Sequence, residues 1–123
     1  MDYKQIIEQA RAVARPIHPN EDCRAGDVGA VIVASSGQHY TGVCVEFECG
    51  IGFCAEHAAV AKMLENQESK IAQVVAVTYT DEILPPCGRC REMMWQLDEA
   101  NRSATVILGP HEAQPLEALL PFR

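Results

Sequence analysis

The apolar positions of the chain fall into stretches of helical and strand-like spacing that alternate along its length. Residues 4–15 repeat apolar side chains every three to four positions, which predicts an amphipathic helix that Pro16 ends. Shorter apolar stretches, some of them rich in valine, predict strands over 28–34, 40–46, 74–79 and 105–108. Helical spacing returns over 55–66, 87–99 and, briefly, 115–120.

The segments between these elements are polar or contain glycine and proline. We expect a polar loop over 20–27 and a turn at 35–37 that makes 28–46 a hairpin. Residues 47–53 contain two glycines and predict a flexible connector. A further loop is expected over 80–86.

The alternation of helices and strands predicts a single α/β domain over residues 1–123, with helices on both faces of a mixed sheet. In the helix over 55–66, three residues mark successive turns, and the alanines among them allow close packing. These residues are Ala58, Ala61 and Leu64.

Composition narrows the class of partner. Of the 123 residues, 48% are hydrophobic, which supports a folded core, and the net charge of −7 argues against a phosphate backbone as ligand. A small neutral or cationic substrate fits better, with no nucleic acid. No apolar run is long enough to span a bilayer, and residues 1–10 lack the apolar run of a signal peptide. We therefore expect a cytoplasmic, reducing location, where six cysteines serve metal binding or catalysis rather than disulfides.

Two short motifs carry the chemistry, and each opens a predicted helix: Cys54-Ala55-Glu56 and Pro86-Cys87-Gly88-Arg89-Cys90. Three thiols can hold one zinc ion and leave its fourth position open for water. A nearby carboxylate can then move protons to and from that water. Because residues two apart in a helix point to different sides, Cys54 and Glu56 can meet at one metal only if Cys54 lies at the helix edge.

Other uses of these side chains stay open. Cys49 or Cys44 can complete a closed, structural four-cysteine zinc site, and Cys87 with Cys90 can form a redox pair. Glu56 can be a plain helix N-terminal acid that the helix dipole favours. A closed site needs no adjacent carboxylate, so the combination of the two motifs favours a catalytic zinc site.

Three thiolates leave zinc with a net negative charge that weakens it as a Lewis acid unless neighbours offset that charge. The two helix N-termini supply part of the offset. His57, Arg89 and Arg91 are candidate hydrogen-bond donors to the sulfurs. The alternative for each of the three is an ordinary exposed polar residue.

At these residues the sequence resembles the cytidine deaminase superfamily, and within it the small all-cysteine branch of homotetrameric cytidine deaminases and blasticidin S deaminase. The sequence also resembles this branch at three further motifs: Val28-Gly29-Ala30, Thr41-Gly42-Val43 and Leu119-Leu120-Pro121. The resemblance implies a three-layer α/β/α sandwich with a mixed, roughly five-stranded sheet. It also implies hydrolytic deamination with release of ammonia, Glu56 as the acid–base residue, and one zinc per chain on Cys54, Cys87 and Cys90.

The chain departs from that branch at the strand that approaches the substrate. Where cytidine deaminases carry Asn-x-Glu, this sequence has Cys44-Val45-Glu46, and His57 stands where an arginine often follows the glutamate. Glu46 can still bind a sugar hydroxyl. We expect substrate contacts from Cys44, Glu46, Ala55 and Phe122.

Three functions follow as hypotheses. The first is a zinc aminohydrolase that converts cytidine or deoxycytidine to uridine or deoxyuridine. The second is the same chemistry on another heterocycle, such as blasticidin S or a modified base. The third is a deaminase-like structural or binding module with a closed zinc site. An editor of nucleic acid is least supported, because Lys and Arg are few and scattered.

The resemblance also implies a homotetramer whose subunits complete each other's sites. The C-terminal segment over 116–122 is apolar, and Gly50 and Gly52 allow another chain to approach closely. We therefore expect a homo-oligomer with paired two-fold interfaces and with Phe122 near a pocket or interface. The alternative is a monomer whose terminal leucines cap its own core.

Overall fold

Seven strands form one mixed sheet in the computed structural model, which describes residues 2–123. In chain order the strands are β1 (Ile17–Asn20), β2 (Cys23–Ala34), β3 (His39–Phe47), β4 (Ile71–Thr78), β5 (Ile83–Leu84), β6 (Thr105–Gly109) and β7 (Glu112–Pro115). The helices are α1 (Lys4–Val13), α2 (Ala55–Glu65) and α3 (Gly88–Leu97), with 3₁₀ helices at Glu99–Ser103 and Leu116–Leu119. Within residues 2–123, no helix is long and apolar enough to cross a membrane.

Strand β2 is the centre of the sheet and pairs antiparallel with β1, β3 and β4. Its Ala30 lies between Gly42 of β3 and Ala76 of β4. Strands β4 and β6 pair in parallel, which makes the sheet mixed, and β7 closes the far edge antiparallel to β6. The sequence predicted roughly five strands, and the two additional ones are the short β1 and β5.

Helices cover both faces of the sheet, so the predicted three-layer sandwich is confirmed. Neighbouring residues of a strand point to opposite faces, and the two cores divide accordingly. Helix α1 packs against Val31, Val75 and Ile107. Helices α2 and α3 pack on the other face against Ile32, Val74 and Val106. The second face therefore holds both helices whose N-termini carry the cysteine motifs.

The prediction of a polar loop over 20–27 was wrong. Most of this segment belongs to a hairpin, in which β1 and the first half of β2 pair with each other. The register of β2 shifts between Ala25 and Gly29, and Gly26 has a φ of +83° there. The pairing uses backbone groups while most side chains face solvent, so a pattern of apolar positions does not reveal it. The predicted loop over 80–86 likewise contains the two residues of β5.

The packing face of α2 also differs from the prediction. Ala61 and Leu64 are exposed, and the fully buried positions are Ala55, Ala59 and Met63. Alanine occurs on several sides of this helix, so its spacing did not identify which stripe faces the sheet.

A glycine lets α2 lie directly on β3. A Cβ atom at Gly42 would stand 2.5 Å from the backbone nitrogen of Ala59 and 2.6 Å from the carbonyl oxygen of Ala55. No side chain fits in that space. The close approach places the first turn of α2 beside the strand that carries Cys44 and Glu46.

Candidate zinc and active site

The N-termini of α2 and α3 bring the cysteines of the two motifs together. Cys54 is the N-cap residue of α2 and Cys87 is the N-cap residue of α3, both in extended backbone conformation. Neither side chain caps its own helix, so both sulfurs are free to face a metal. Cys90 lies in the first turn of α3 and is fully buried. Cys54 thus occupies the helix-edge position that a shared site with Glu56 requires.

The three sulfurs form a compact triangle. The Sγ atom of Cys87 lies 3.5 Å from that of Cys54 and 3.5 Å from that of Cys90. The ligand atoms of Cys54, His57 and Cys90 all lie within 4.8 Å of one another. Sulfurs around tetrahedral zinc stand roughly 3.8 Å apart, given Zn–S bonds of about 2.3 Å. Spacing and soft thiolate chemistry both fit zinc.

The cysteine thiols differ in acidity because their surroundings differ. Burial raises the pKa of Cys54 and that of Cys90. Burial also acts on Cys87, but hydrogen bonds from the backbone N–H groups of Cys90 and Arg89 and from the neighbouring thiols outweigh it and lower its pKa. Zinc binds thiolates, so its binding must displace the protons of this cluster.

Glu56 is buried beside the sulfurs, with 5% of its surface exposed. Burial raises the pKa of its carboxyl group, against the opposing effects of its own backbone N–H and the Cys90 thiol. A carboxyl group in this environment can hold and release a proton nearer to neutral pH than an exposed one. That property suits a general acid–base residue.

The three candidate donors to the sulfurs have different partners. His57 Nδ1 lies 3.5 Å from the Sγ atom of Cys90, and burial followed by the charge of Arg89 lowers the pKa of His57. Arg89 itself lines the neighbouring cavity. Arg91 points elsewhere, because its Nε donates to the carbonyl oxygen of Pro86 and its Nη1 donates to that of Leu119.

A cavity of about 460 Å³ opens beside the triangle of sulfurs. Seven of the expected site residues contribute to its wall: Cys44, Glu46, Cys54, Ala55, Glu56, Cys87 and Arg89. Phe122 does not line this cavity within the chain and is fully exposed, at 101% relative accessibility. Its expected contact with a substrate therefore requires a second subunit and stays a prediction.

One part of the cavity wall is apolar and was not predicted from the sequence. It is formed by Val28, Phe47, Phe53, Leu84 and Pro85. Phe47 and Phe53 are the first and last residues of the segment that was expected to be a flexible connector. Its base is closed, because Val45 and Phe53 exchange two backbone hydrogen bonds of 3.0 Å. Aromatic residues on both sides of a glycine-containing segment next to Cys54 were the available indication.

A family model described as "Cytidine and deoxycytidylate deaminase zinc-binding region" matches residues 1–106. The chain belongs to this family. The match includes both cysteine motifs, and together with the donor cluster it makes zinc the cofactor. The expected relationship to cytidine deaminases is thereby confirmed.

Individual relatives agree with this assignment. Cytidine deaminase 7 of Arabidopsis thaliana is 31% identical over 132 residues, covering 97% of this chain and 40% of the relative. A blasticidin-S deaminase of Bacillus cereus is 33% identical over 76 residues, covering 54% of each chain. The chain thus spans about half the length of the first curated relatives that it matches. The crystal structure of cytidine deaminase from Mycobacterium tuberculosis superposes with a TM-score of 0.81 at 26% identity, covering 99% of this chain and 96% of that one.

Proposed function

We propose that this chain is a zinc-dependent hydrolytic deaminase of a small aminated pyrimidine nucleoside. The reaction would convert cytidine or deoxycytidine, with water, to uridine or deoxyuridine and ammonia. The observation that carries the proposal is the position of buried Glu56 beside three clustered cysteine sulfurs on the wall of one cavity. Membership of the cytidine and deoxycytidylate deaminase family supports the same reaction class.

Cys54, Cys87 and Cys90 would hold the zinc ion, which when bound supplies an activated water at neutral pH. Glu56 would accept a proton from that water and deliver it to the ring nitrogen of the base. As the water oxygen bonds to the ring carbon that carries the amine, the carboxylate would take the remaining proton of that oxygen and pass it to the amine. The C–N bond then breaks and ammonia leaves. Burial raises the pKa of Glu56, which makes its carboxylate a better proton acceptor than an exposed one.

An open cavity distinguishes this proposal from a closed structural zinc site. Cys54 and Cys87 both contribute to the cavity wall, so the metal that they hold would face a space large enough for a ligand. Apolar side chains such as Phe47, Phe53 and Leu84 suit the faces of a heterocycle, and Glu46 suits a sugar hydroxyl. Arg89, on the same wall, and His57, beside Cys90, would offset the charge of the thiolates.

A second candidate is the same deamination on another heterocycle, such as blasticidin S or a modified base. The observation that favours it is Cys44, which is 7% exposed and lines the cavity. A thiol is a weak hydrogen-bond partner, so this position supplies less recognition of a sugar hydroxyl than an amide would. The blasticidin-S deaminase relative adds support.

We also propose that the protein is a homo-oligomer, with a tetramer as the first expectation, and that it works in the cytoplasm. Fully exposed Phe122 supports the first point, because a large apolar side chain at 101% relative accessibility suits burial against another subunit. Six free cysteines suit a reducing compartment.

The experiment that tests the function is a measurement of ammonia release by the zinc-loaded protein. The panel contains cytidine, deoxycytidine, cytosine, adenosine, deoxycytidylate and blasticidin S. We expect turnover of cytidine or deoxycytidine, and preferential turnover of blasticidin S would favour the second candidate. Stoichiometric zinc without ammonia release from any compound would instead support a structural module.

A further inference from the structure

Arg91 bridges two backbone carbonyl groups that belong to separate parts of the chain. Its Nε donates to the Pro86 oxygen at 2.7 Å, and its Nη1 donates to the Leu119 oxygen at 3.2 Å. Pro86 directly precedes Cys87, whose sulfur lies 3.5 Å from each of the other two sulfurs. Leu119 ends the 3₁₀ helix near the C-terminus.

Pro86 is buried, but it cannot hold the Pro86–Cys87 junction through a backbone N–H group of its own. Pro85 and Pro86 lack backbone N–H groups and donate no hydrogen bonds. Cys87 is the N-cap residue of α3, and its thiol makes only the weak contacts of a sulfur there rather than the capping hydrogen bond of an oxygen side chain. Side-chain capping usually fixes this part of a helix, and here the side chain is left for the metal. Arg91, one turn further along, reaches back and binds the carbonyl group next to Cys87.

The other end of the bridge is firmly anchored. Leu116 is fully buried, and its backbone N–H donates to the Ala104 oxygen at 2.9 Å. Beyond Leu119, the Arg123 side chain forms an ion pair with Glu92 of α3 at 2.6 Å and lies 5.7 Å from the Trp95 ring centre. The guanidinium of Arg91 is therefore held between the zinc-binding turn and a segment that is packed on the same helix.

We propose that Arg91 is a positioning residue that holds Cys87 in the orientation required for zinc. It acts through the Pro86 carbonyl group and touches neither substrate nor metal. Cys87 depends most on such support, because it is exposed while Cys90 is buried. The inference rests on the proposed function only in taking Cys87 as a zinc ligand.

Arg91→Ala tests this role through zinc retention rather than turnover. We expect the variant to fold and to release zinc to an excess of chelator about 10- to 100-fold faster than the wild type, the range typical of lost outer contacts at metal sites. The amine of Arg91→Lys can reach one of the two carbonyl groups. Its rate of zinc release should therefore lie between those of the wild type and Arg91→Ala. The absorption spectrum of the cobalt-loaded Arg91→Ala protein should shift toward that of cobalt-loaded Cys87→Ser.

Arg102→Ala is the matched control, because the Arg102 guanidinium lies 4.6 Å from the Trp95 ring centre and pairs with Glu99 rather than with the Pro86 carbonyl group. It should keep the wild-type release rate and cobalt spectrum. Arg91→Ala with wild-type zinc release and an unchanged cobalt spectrum would overturn the inference, even if its thermal stability fell. A wild-type chain that binds no zinc would overturn both this role and the proposed site. Zinc-bound protein without deaminase activity would remove the proposed function alone.

Discussion

The sulfurs of Cys54 and Cys87 lie 3.5 Å apart although 33 positions separate the two residues in the chain. Each is the N-cap residue of its helix, and both helices lie on the same face of the sheet. The partial positive charge of two helix N-termini therefore converges on one cluster of thiols. This arrangement acts against the burial that raises the pKa of Cys54, and it would offset part of the thiolate charge once zinc binds.

The thiol cluster predicts about one zinc per chain in protein purified without added metal. Cys54→Ser and Cys87→Ser should each reduce the zinc content substantially, as measured by elemental analysis. Cys23→Ser is the control, because Cys23 does not line the cavity, and it should retain the full zinc content. Full zinc content in Cys87→Ser would contradict the assignment of that ligand.

Zinc binding should also weaken as the pH falls. Burial raises the pKa of Cys54 and of Cys90 in the metal-free protein, so both thiols hold protons that zinc must displace. Binding then releases protons, and a higher proton concentration opposes it. Titration with a zinc-competing chelator at several pH values measures this, and affinity that does not change between pH 8 and pH 6 would argue against thiolate ligands.

Glu56→Gln should abolish most of the activity while leaving the metal in place. The amide keeps the size of the side chain but cannot carry a proton between water and the base. We expect a loss of at least about 100-fold in kcat, the scale of general acid–base catalysis, with wild-type zinc content. Glu65→Gln on the exposed side of the same helix should behave as the wild type. Turnover within a few-fold of wild type would show that another group moves the proton.

Residue spacing was enough to predict most of the sheet, and the two cysteine motifs indicated the cluster of thiols that the structure shows. The two cysteine motifs each begin a helix, and the valine-rich stretches form β2 and β4, because buried central strands leave a continuous apolar pattern. The β1–β2 hairpin was missed because backbone hydrogen bonds hold it while its side chains are mostly exposed. The partners of Arg91 were also missed, since a long side chain that binds distant carbonyl oxygens leaves no periodic pattern.

Cys44 should make the enzyme tolerant of changes in the sugar. It lies on the cavity wall and offers only a weak hydrogen-bonding group. We expect kcat/KM values for cytidine and deoxycytidine to differ little, and Cys44→Asn to increase their ratio by about 2- to 10-fold, the value of one neutral hydrogen bond. Cys23→Asn should leave the ratio unchanged. A steep loss in the wild type on removal of one hydroxyl group would contradict this prediction.

Asn101 should be one of the residues most important for stability. It is completely buried, its Oδ1 accepts from the Ile71 N–H at 2.7 Å, and its Nδ2 donates to the carbonyl oxygens of Ser69 and Met94. Asn101→Leu removes three hydrogen bonds to the backbone, two of which are buried. We expect a loss of about 2–4 kcal/mol in the free energy of unfolding, measured by urea denaturation. Exposed Glu99→Ala should change it by less than about 0.5 kcal/mol.

The C-terminus is held so that Phe122 projects from the surface. Arg123 forms an ion pair with Glu92 and lies over Trp95, while the adjacent Phe122 is fully exposed. Because the backbone is held at Arg123, covering the Phe122 ring with another chain orders little more than that side chain. We therefore expect light scattering on a size-exclusion column to give the mass of a tetramer at micromolar concentration.

Phe122→Ala should shift the mass toward smaller species and raise KM for the nucleoside, because the ring would contribute to a neighbour's cavity. Ile17→Ala, which removes another exposed apolar side chain, from β1, should change neither value. A single-chain mass with full activity would rule out both the tetramer and a shared site.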